Sequence, residues 1–554
     1  MKFIPGGPPR YAHQRAGLRR LIETRGRCAL LFEPGAGKTP TTLDYLALLA
    51  LKSQRLVDGV PEARVLVISP KAAIDNWIIQ AERFVSPQVN VWSEVLGGSI
   101  KQRAEAIASR GPNRPARMPK GITRREEESI RHRGRHLRKA ELTYFRGDPG
   151  PRRGPSDIQG KPRLVLLSTN LDTFSSRARV GSRTMADLLM DAVRAFQPDA
   201  IVVDEMHKIK SPTSNMSRLI ARIGGLTSRR IGLTGTVMPK GPMDVFAQWR
   251  FIEPTAFGDI DPRTRERRKA TYDGFVRQFG VKGGFMGREI IRYINLDRLQ
   301  AIMSDNSIVV KKEDALDLPK TKDVVVPITL DQREQRIYDD MKKDLSTRLS
   351  GSTTASVPNR LTQMLRLRQI TAGHLPDDLG QVQRIGTSKI DAVRSLANDT
   401  LEGEKRVVVF ALFKHEIEDL AKALQVDGTD VLVIDGRTPD DKRLAIRRRF
   451  GSDDPRRIIL VAQVQTISLS VNELVTASHA IFATLSQRRD DVVQARDRLN
   501  RIGQTKPSTF WFVLARGTVD EVIYKSHEER TNLESSILRH IQGIEDPVEM
   551  QDYA

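Results

Sequence analysis

The stretch LLFEPGAGKT, residues 30–39, decides how the chain is read. The apolar run from Cys28 to Phe32 reads as a short buried strand, and Gly35 and Gly37 turn it into a loop that closes on Lys38 and Thr39. Beyond the loop, Leu43, Leu46, Ala47 and Ala50 recur at helical spacing. Strand, glycine loop and helix in that order form a cradle for phosphate. Amides of the loop and the helix N-terminus face the anion, and glycine lets the backbone come close. In such a cradle Gly35, Ala36 and Gly37 surround the phosphates of ATP, Lys38 reaches the β- and γ-phosphates, and the Thr39 hydroxyl binds Mg²⁺. Phe32 stands where the strict GxxxxGK[ST] pattern has its first glycine. The alternative is therefore a glycine-rich turn capping an ordinary helix.

Such a cradle needs a metal-binding acid, a base and a charge stabiliser from elsewhere. IVVDEMHKIKSP (201–212) supplies the first two. Four apolar residues, Ala200 to Val203, deliver Asp204 and Glu205 to the carboxyl end of a strand, the edge where open parallel sheets bind ligands. Asp204 can hold Mg²⁺, and Glu205 can orient and activate the attacking water. His207 is too isolated to be a metal ligand and is expected to link this site to the LTGT segment at 233–236.

Composition bounds the partner. The 554 residues imply more than one domain, and no apolar run is long enough to cross a membrane. The N-terminus lacks a signal-peptide core. Cys28 is the single cysteine, so internal disulfides and thiolate metal clusters are excluded, as in a reducing compartment. A net charge of +22 calls for a polyanion, nucleic acid first and an anionic membrane surface second. Aromatic content of 5% makes phosphate contacts, rather than base stacking, the main grip.

Along the chain, strand-like runs at 28–32, 65–69, 164–168, 200–204 and 230–236 alternate with helical patterns, including 74–84, 184–196 and 214–223. That alternation implies a parallel sheet covered by helices on both faces. Trp77 lies on the apolar face of 74–84 and is expected in the core. Residues 110–163 interrupt the pattern with 16 basic against 6 acidic side chains. A block of that kind contacts nucleic acid or stays solvated; contact with DNA or a DNA-bound partner is the expectation here. A second α/β pattern runs from about 389, with strands at 406–412, 431–435, 457–462, 479–484 and 509–515. The expected divisions are an ATP-binding lobe at 1–252, a helical linker or insertion region at 253–385, a second lobe at 386–535 and a tail at 536–554.

The order of these segments resembles a superfamily-two helicase motor, and within it the Swi/Snf-type ATP-dependent DNA translocases, of a compact bacterial or phage kind. VLVISPKAAIDNWIIQAERF (65–84), DEMH (204–207), RRIGLTGTVMPKGPMDVFAQWRFIEPTAFG (229–258), VVVFALFKHEIEDLAKAL (407–424) and IDGRTPDDKRLAIRRRF (434–450) carry the resemblance. The most diagnostic run is QARDRLNRIGQTKPSTFWFVLARGTVDEVI (494–523), close to the family's QAxDRxHRIGQ, strand, then GTVxExI. The resemblance implies two RecA-like parallel-sheet lobes with helical and basic insertions, ATP and Mg²⁺ as cofactors, and a cytoplasmic monomer. It implies tracking on the phosphate backbone of double-stranded DNA without strand separation, with displacement of strands or of a DNA-bound protein. It makes Arg498 and Arg501 arginine fingers; about three residues apart, one helical turn, both can face the same cleft. It aligns Gln14 with the family's adenine-reading glutamine, puts Gln504 at the ATP-site edge, and gives Lys71, His207, Thr234, Gly235, Thr236 and Asn472 to coupling or DNA contact. Departures fall at Glu33-Pro34-Gly35, at Val237-Met238-Pro239-Lys240, and at 462–474, where the family's glycine-rich run is AQVQTISLSVNEL. Two alternatives remain at this point: a strand-separating or annealing helicase on branched DNA or RNA, and an ATP-switched clamp without processive hydrolysis.

Overall fold

Each apolar run becomes a strand because its side chains are buried on both faces, as parallel sheets require. The computed structural model describes residues 3–110, 160–180, 182–283, 289–315, 319–351, 357–376, 381–467, 473–501 and 504–529. In the first lobe the strands are β1 (Arg27–Phe32), β2 (Val60–Ser69), β3 (Asn90–Val95), β4 (Arg163–Asn170), β5 (Ala200–Asp204), β6 (Arg230–Leu233) and β7 (Ser307–Val310). They lie in the order β7-β1-β6-β5-β2-β4-β3, all parallel, and the short antiparallel strand Leu56–Val57 on β2 completes an eight-stranded sheet. Alternation along β1 serves two cores. Ala29 and Leu31 join one cluster with Phe246, Trp249 and Phe251, while Cys28, Leu30 and Phe32 join another with Leu43, Leu46 and Trp77.

The second lobe repeats the plan. Its strands β8 (Thr321–Ile328), β9 (Arg406–Ala411), β10 (Thr429–Ile434), β11 (Arg457–Gln463), β12 (His479–Phe482) and β13 (Ser508–Ala515) form a parallel six-stranded sheet. The order is β8-β13-β12-β9-β11-β10. Val408 and Phe410 face one core, Val407, Val409 and Ala411 the other.

The segment 253–385, expected as a helical connector, donates an edge strand to each sheet. β7 pairs with β1, register Ala29 to Ser307, and β8 runs the length of β13. Between β8 and the second lobe's first helix, Ser388–Gly403, lie the helices Gln332–Gly351 and Val357–Thr371. The expected helix at 74–84 forms as α3 (Ile74–Phe84), between α2 (Lys38–Leu51) and β3. Most of the basic block 110–163 and the tail 536–554 lie outside the described residues, as does Asn472.

Candidate active site

The phosphate loop is built as the sequence implies. β1 ends at Phe32, Gly35 and Gly37 take positive φ of 91° and 87°, and Gly37 caps α2. Both angles are open to glycine and strained for other residues. Gly37 is fixed by its neighbour as well. A Cβ there would lie 2.0 Å from Nε2 of Gln14, so the buried glutamine rests directly on the loop. Gln14 sits in the first helix, α1 (Ala12–Glu23), and its Oε1 accepts a hydrogen bond from the Tyr11 amide at 3.1 Å. Arg10 anchors this approach through a buried ion pair with Asp44 of α2 at 2.7 Å.

Lys38 donates from Nζ to the Phe32 carbonyl at 2.8 Å. Burial pushes its pKa down, against the pull of the Glu205 and Asp204 carboxylates. Those two acids arrive at the carboxyl end of β5, next to the strand that precedes the LTGT segment. Asp204 is held at both oxygens: the Trp77 indole N–H donates to Oδ2 at 3.0 Å, and the Glu205 amide to Oδ1 at 3.0 Å. Burial and the adjacent Glu205 charge raise its pKa, while Trp77 and Lys38 oppose the rise. Trp77 is in the core, as its helical face requires, and at 1% exposed it also orients the Asp204 carboxylate. Periodicity gives only the first of those roles.

Glu205 takes a left-handed backbone, φ 50° and ψ 52°. A non-glycine residue held there costs about 1–3 kcal/mol, and such strain concentrates at functional sites. Burial works to raise its pKa, but the hydrogen bond from His207 and the charges of His207, Lys38 and Lys208 win, and the carboxylate stays ionised. His207 Nδ1 lies 3.2 Å from Glu205 Oε2 and 3.0 Å from Thr234 Oγ1. The Thr234 hydroxyl donates its own proton to the Thr236 carbonyl at 2.9 Å. Thr234 must therefore accept, and His207 carries its proton on Nδ1, shared between Glu205 and Thr234. The expected link from the acid pair to the LTGT segment is thus a hydrogen-bond chain. That segment also touches the phosphate loop, since a Cβ on Gly235 would lie 2.5 Å from Pro34 Cδ. Thr234 and Thr236 are buried, a placement suited to coupling rather than DNA contact, whereas Lys71 is exposed after β2.

The second lobe closes on this loop. Arg501 comes close enough that a Cβ on Gly35 would lie 4.0 Å from its own Cβ. Burial and the like charge of Arg501 push the Arg498 guanidinium down to about 10, opposed by Asp497 and Glu205. Both arginines reach the same cleft, as their spacing suggests, but not as one continuous helical turn. Arg498 lies in the last turn of α4 (Arg489–Leu499), and the chain leaves the helix at Asn500, ψ 83°, before reaching Arg501. They converge through a bend. Gln504, expected at the ATP-site edge, commits its amide to its own lobe: Nε2 donates to the carbonyls of Ala477 at 2.9 Å and Val475 at 3.2 Å. That bonding orders the bend and leaves the amide turned to the backbone.

Two ion pairs bridge the lobes beside the site, Lys312 with Asp497, and Lys210 with Asp490 at 3.7 Å. Neither was legible as a contact. The signal for Lys312 is an apolar run, Ile308 to Val310, ending in two lysines at the same sheet edge as the phosphate loop.

Fold and site together define a two-lobed ATPase core of the helicase type. The SNF2-related domain matches residues 13–374, and the helicase conserved C-terminal domain matches residues 388–503. The chain belongs to the SNF2-related family. It is 26% identical over 387 residues to a DNA annealing helicase and endonuclease of Bos taurus, covering 69% of this chain and 33% of that protein. It is 22% identical over 387 residues to an uncharacterized ATP-dependent helicase of Mycoplasma genitalium, covering 67% and 34%. The chain thus spans about a third of the length of these curated relatives. A solved SWI2/SNF2 ATPase core of Sulfolobus solfataricus in complex with double-stranded DNA aligns over 98% of this chain and 95% of its own, with 18% identity and a TM-score of 0.38. Among the described residues no helix is long and apolar enough to cross a membrane.

Proposed function

We propose that the chain hydrolyses ATP in the cleft between its lobes and uses the cycle to move along double-stranded DNA, displacing strands or bound protein. The observation that carries this reading is the approach of two arginines from the second lobe to the first, Arg501 beside the phosphate loop and Arg498 within electrostatic reach of Glu205. A site completed only when two lobes meet makes opening and closing part of each turnover. Lys38 binds the β- and γ-phosphates, Glu205 orients the attacking water, and the arginines offset charge on the γ-phosphate as it leaves. Gln14, resting on the loop, is the candidate reader of adenine.

The oxygen donors fit Mg²⁺. Thr39 and Asp204 offer a hydroxyl and a carboxylate, and no cluster of three or more His, Cys, Asp or Glu able to hold a metal occurs among the described residues. Mg²⁺ is a hard ion that keeps waters and takes one or two carboxylates plus substrate phosphates. Bound there, it would neutralise charge on the β- and γ-phosphates. Trp77→Phe keeps an apolar ring but removes the donor to Asp204. The Mg²⁺ concentration for half-maximal turnover is expected to rise about 10–100-fold, as when a partner of a metal ligand is lost. A Mg²⁺ titration of ATPase rate checks this, and an unchanged requirement would refute the role.

DNA is supported as the track by charge. The block 110–163 holds 16 basic and 6 acidic residues, and the rest of the chain still carries +12 of the +22 total. Grip on phosphate needs little base readout, which suits a low aromatic content. The test is ATPase rate against duplex, single-stranded and branched DNA and RNA. Duplex DNA is expected to stimulate it, and Lys38→Ala to abolish it. No stimulation by any nucleic acid overturns the motor. Displacement of a triplex strand without opening a forked duplex separates translocation from unwinding or annealing.

A further inference from the structure

We infer that Lys312 is a positioning residue that seats both cleft arginines, an assignment that rests on the ATPase reading above. Lys312 follows β7, which pairs with β1, the strand that feeds the phosphate loop. Its main-chain amide donates to Glu33 Oε2 at 2.9 Å, at the point where β1 turns into that loop. Its backbone is therefore tied to the phosphate-binding element itself.

Its side chain, 6% exposed, crosses to the other lobe. The ammonium pairs with the Asp497 carboxylate and donates to the Asn500 carbonyl at 2.8 Å. These acceptors directly precede Arg498 and Arg501 in sequence. The Asn500 carbonyl belongs to the peptide group whose amide is that of Arg501, so this hydrogen bond fixes the plane from which Arg501 hangs. A cation at the end of α4 is also favoured by the helix dipole. The lysine stem completes the contact: a Cβ on Gly35 would meet Lys312 Cε at 3.8 Å and Arg501 Cβ at 4.0 Å. One side chain thus lies beside the phosphate loop and binds the acid before one arginine and the carbonyl before the other.

A buried ion pair is a poor device for net stability, because desolvation offsets attraction. Its strength is direction. Two acceptors on one ammonium set the lobes in register, and an apolar contact would let them slide. Transition-state stabilisation by arginine depends on that register, and a misplacement of about 1 Å can cost about 10²-fold.

The test uses the full chain. Lys312→Met keeps the stem and removes the charge. It is expected to lower DNA-stimulated kcat about 10–100-fold and leave the KM for ATP within about threefold. Exchange of the pair, Lys312→Asp with Asp497→Lys, is expected to recover at least about a third of the loss on a logarithmic scale, which a folding defect would not allow. In parallel, spin labels at Lys101→Cys and Lys525→Cys report the lobe separation with duplex DNA and a non-hydrolysable ATP analogue. Both sites are exposed, at 60% and 78%, while the native Cys28 is buried. The unsubstituted pair is expected to give one narrow distance, which Lys312→Met broadens. A narrow distance that broadens in a chain without ATPase activity would sink the motor reading and leave the strut standing. An active chain in which Lys312→Met keeps kcat within threefold, or the distance stays narrow, overturns the strut.

Discussion

Glu205→Gln is expected to bind ATP as the unsubstituted chain does and to hydrolyse it about 10²–10⁴-fold more slowly. The substitution preserves shape and removes the basic oxygen. The new carboxamide could still accept the shared Nδ1 proton of His207, because its oxygen occupies the same reach. The left-handed backbone at this position is set by the strand end and the following turn, so the carboxamide is held where the carboxylate was. Loss of one negative charge beside Lys38 and the phosphates also removes repulsion toward the nucleotide. Affinity for ATP should therefore stay level or improve, while single-turnover hydrolysis collapses. Nucleotide binding by a fluorescent ATP analogue and rapid-quench hydrolysis together check the split. Equal losses in both would mean that Glu205 holds the site together and does not activate water.

The second large effect is expected at Arg501. Arg501→Ala should lower DNA-stimulated turnover about 10³–10⁵-fold, with ATP binding by the first lobe changed only a few-fold. The asymmetry follows from address. The phosphate loop, Lys38 and Gln14 belong to one lobe and persist when the arginine is removed. Arg501→Lys should rescue little, since a point charge does not reproduce the planar fork of guanidinium on phosphate oxygens. Arg498 is a less clean probe. Its pKa is already lowered by burial, so truncation there disturbs packing as well as chemistry. The measurement is kcat and KM for ATP at saturating DNA. A rise in KM with kcat intact would assign Arg501 to ground-state binding.

What could be read directly was what periodicity and strong motifs carry. The strands β1, β5 and β11 announce themselves as apolar runs, because a strand buried on both faces cannot hide its composition. The helix 74–84 and its buried Trp77 followed from one amphipathic stripe. The edge strands β3, β7 and β8 did not show, although β10, at the far edge of the second sheet, did. β3 mixes Asn90, Trp92, Ser93 and Glu94, and β8 carries charges and Pro327, as edge strands do when one side faces solvent. The acid pair and the loop lysine were legible from local sequence, but their restraints were not. The Trp77 bond to Asp204 spans 127 residues and the Lys312 contact to Asp497 spans 185. No local rule sees partners that only the sheet order brings together. The two arginines share the cleft that their spacing implied, but they reach it through a bend, because the helix ends between them.

The pairing of β1 with β7 bears on how the molecule comes into being. The strand that holds the phosphate loop lies between β6 and β7, and Glu33 meets Lys312 across 279 residues of chain. At synthesis rates of about 5–20 residues per second, that strand waits tens of seconds for β7, most of that time before β6 has been made as well. An unpaired edge is an invitation to wrong partners. A fragment cut at residue 252 would keep that vulnerability for life, however complete its motifs. The sheet of the ATP lobe takes its last strand from residues up to Val310, so truncations intended to isolate it belong after Ala315.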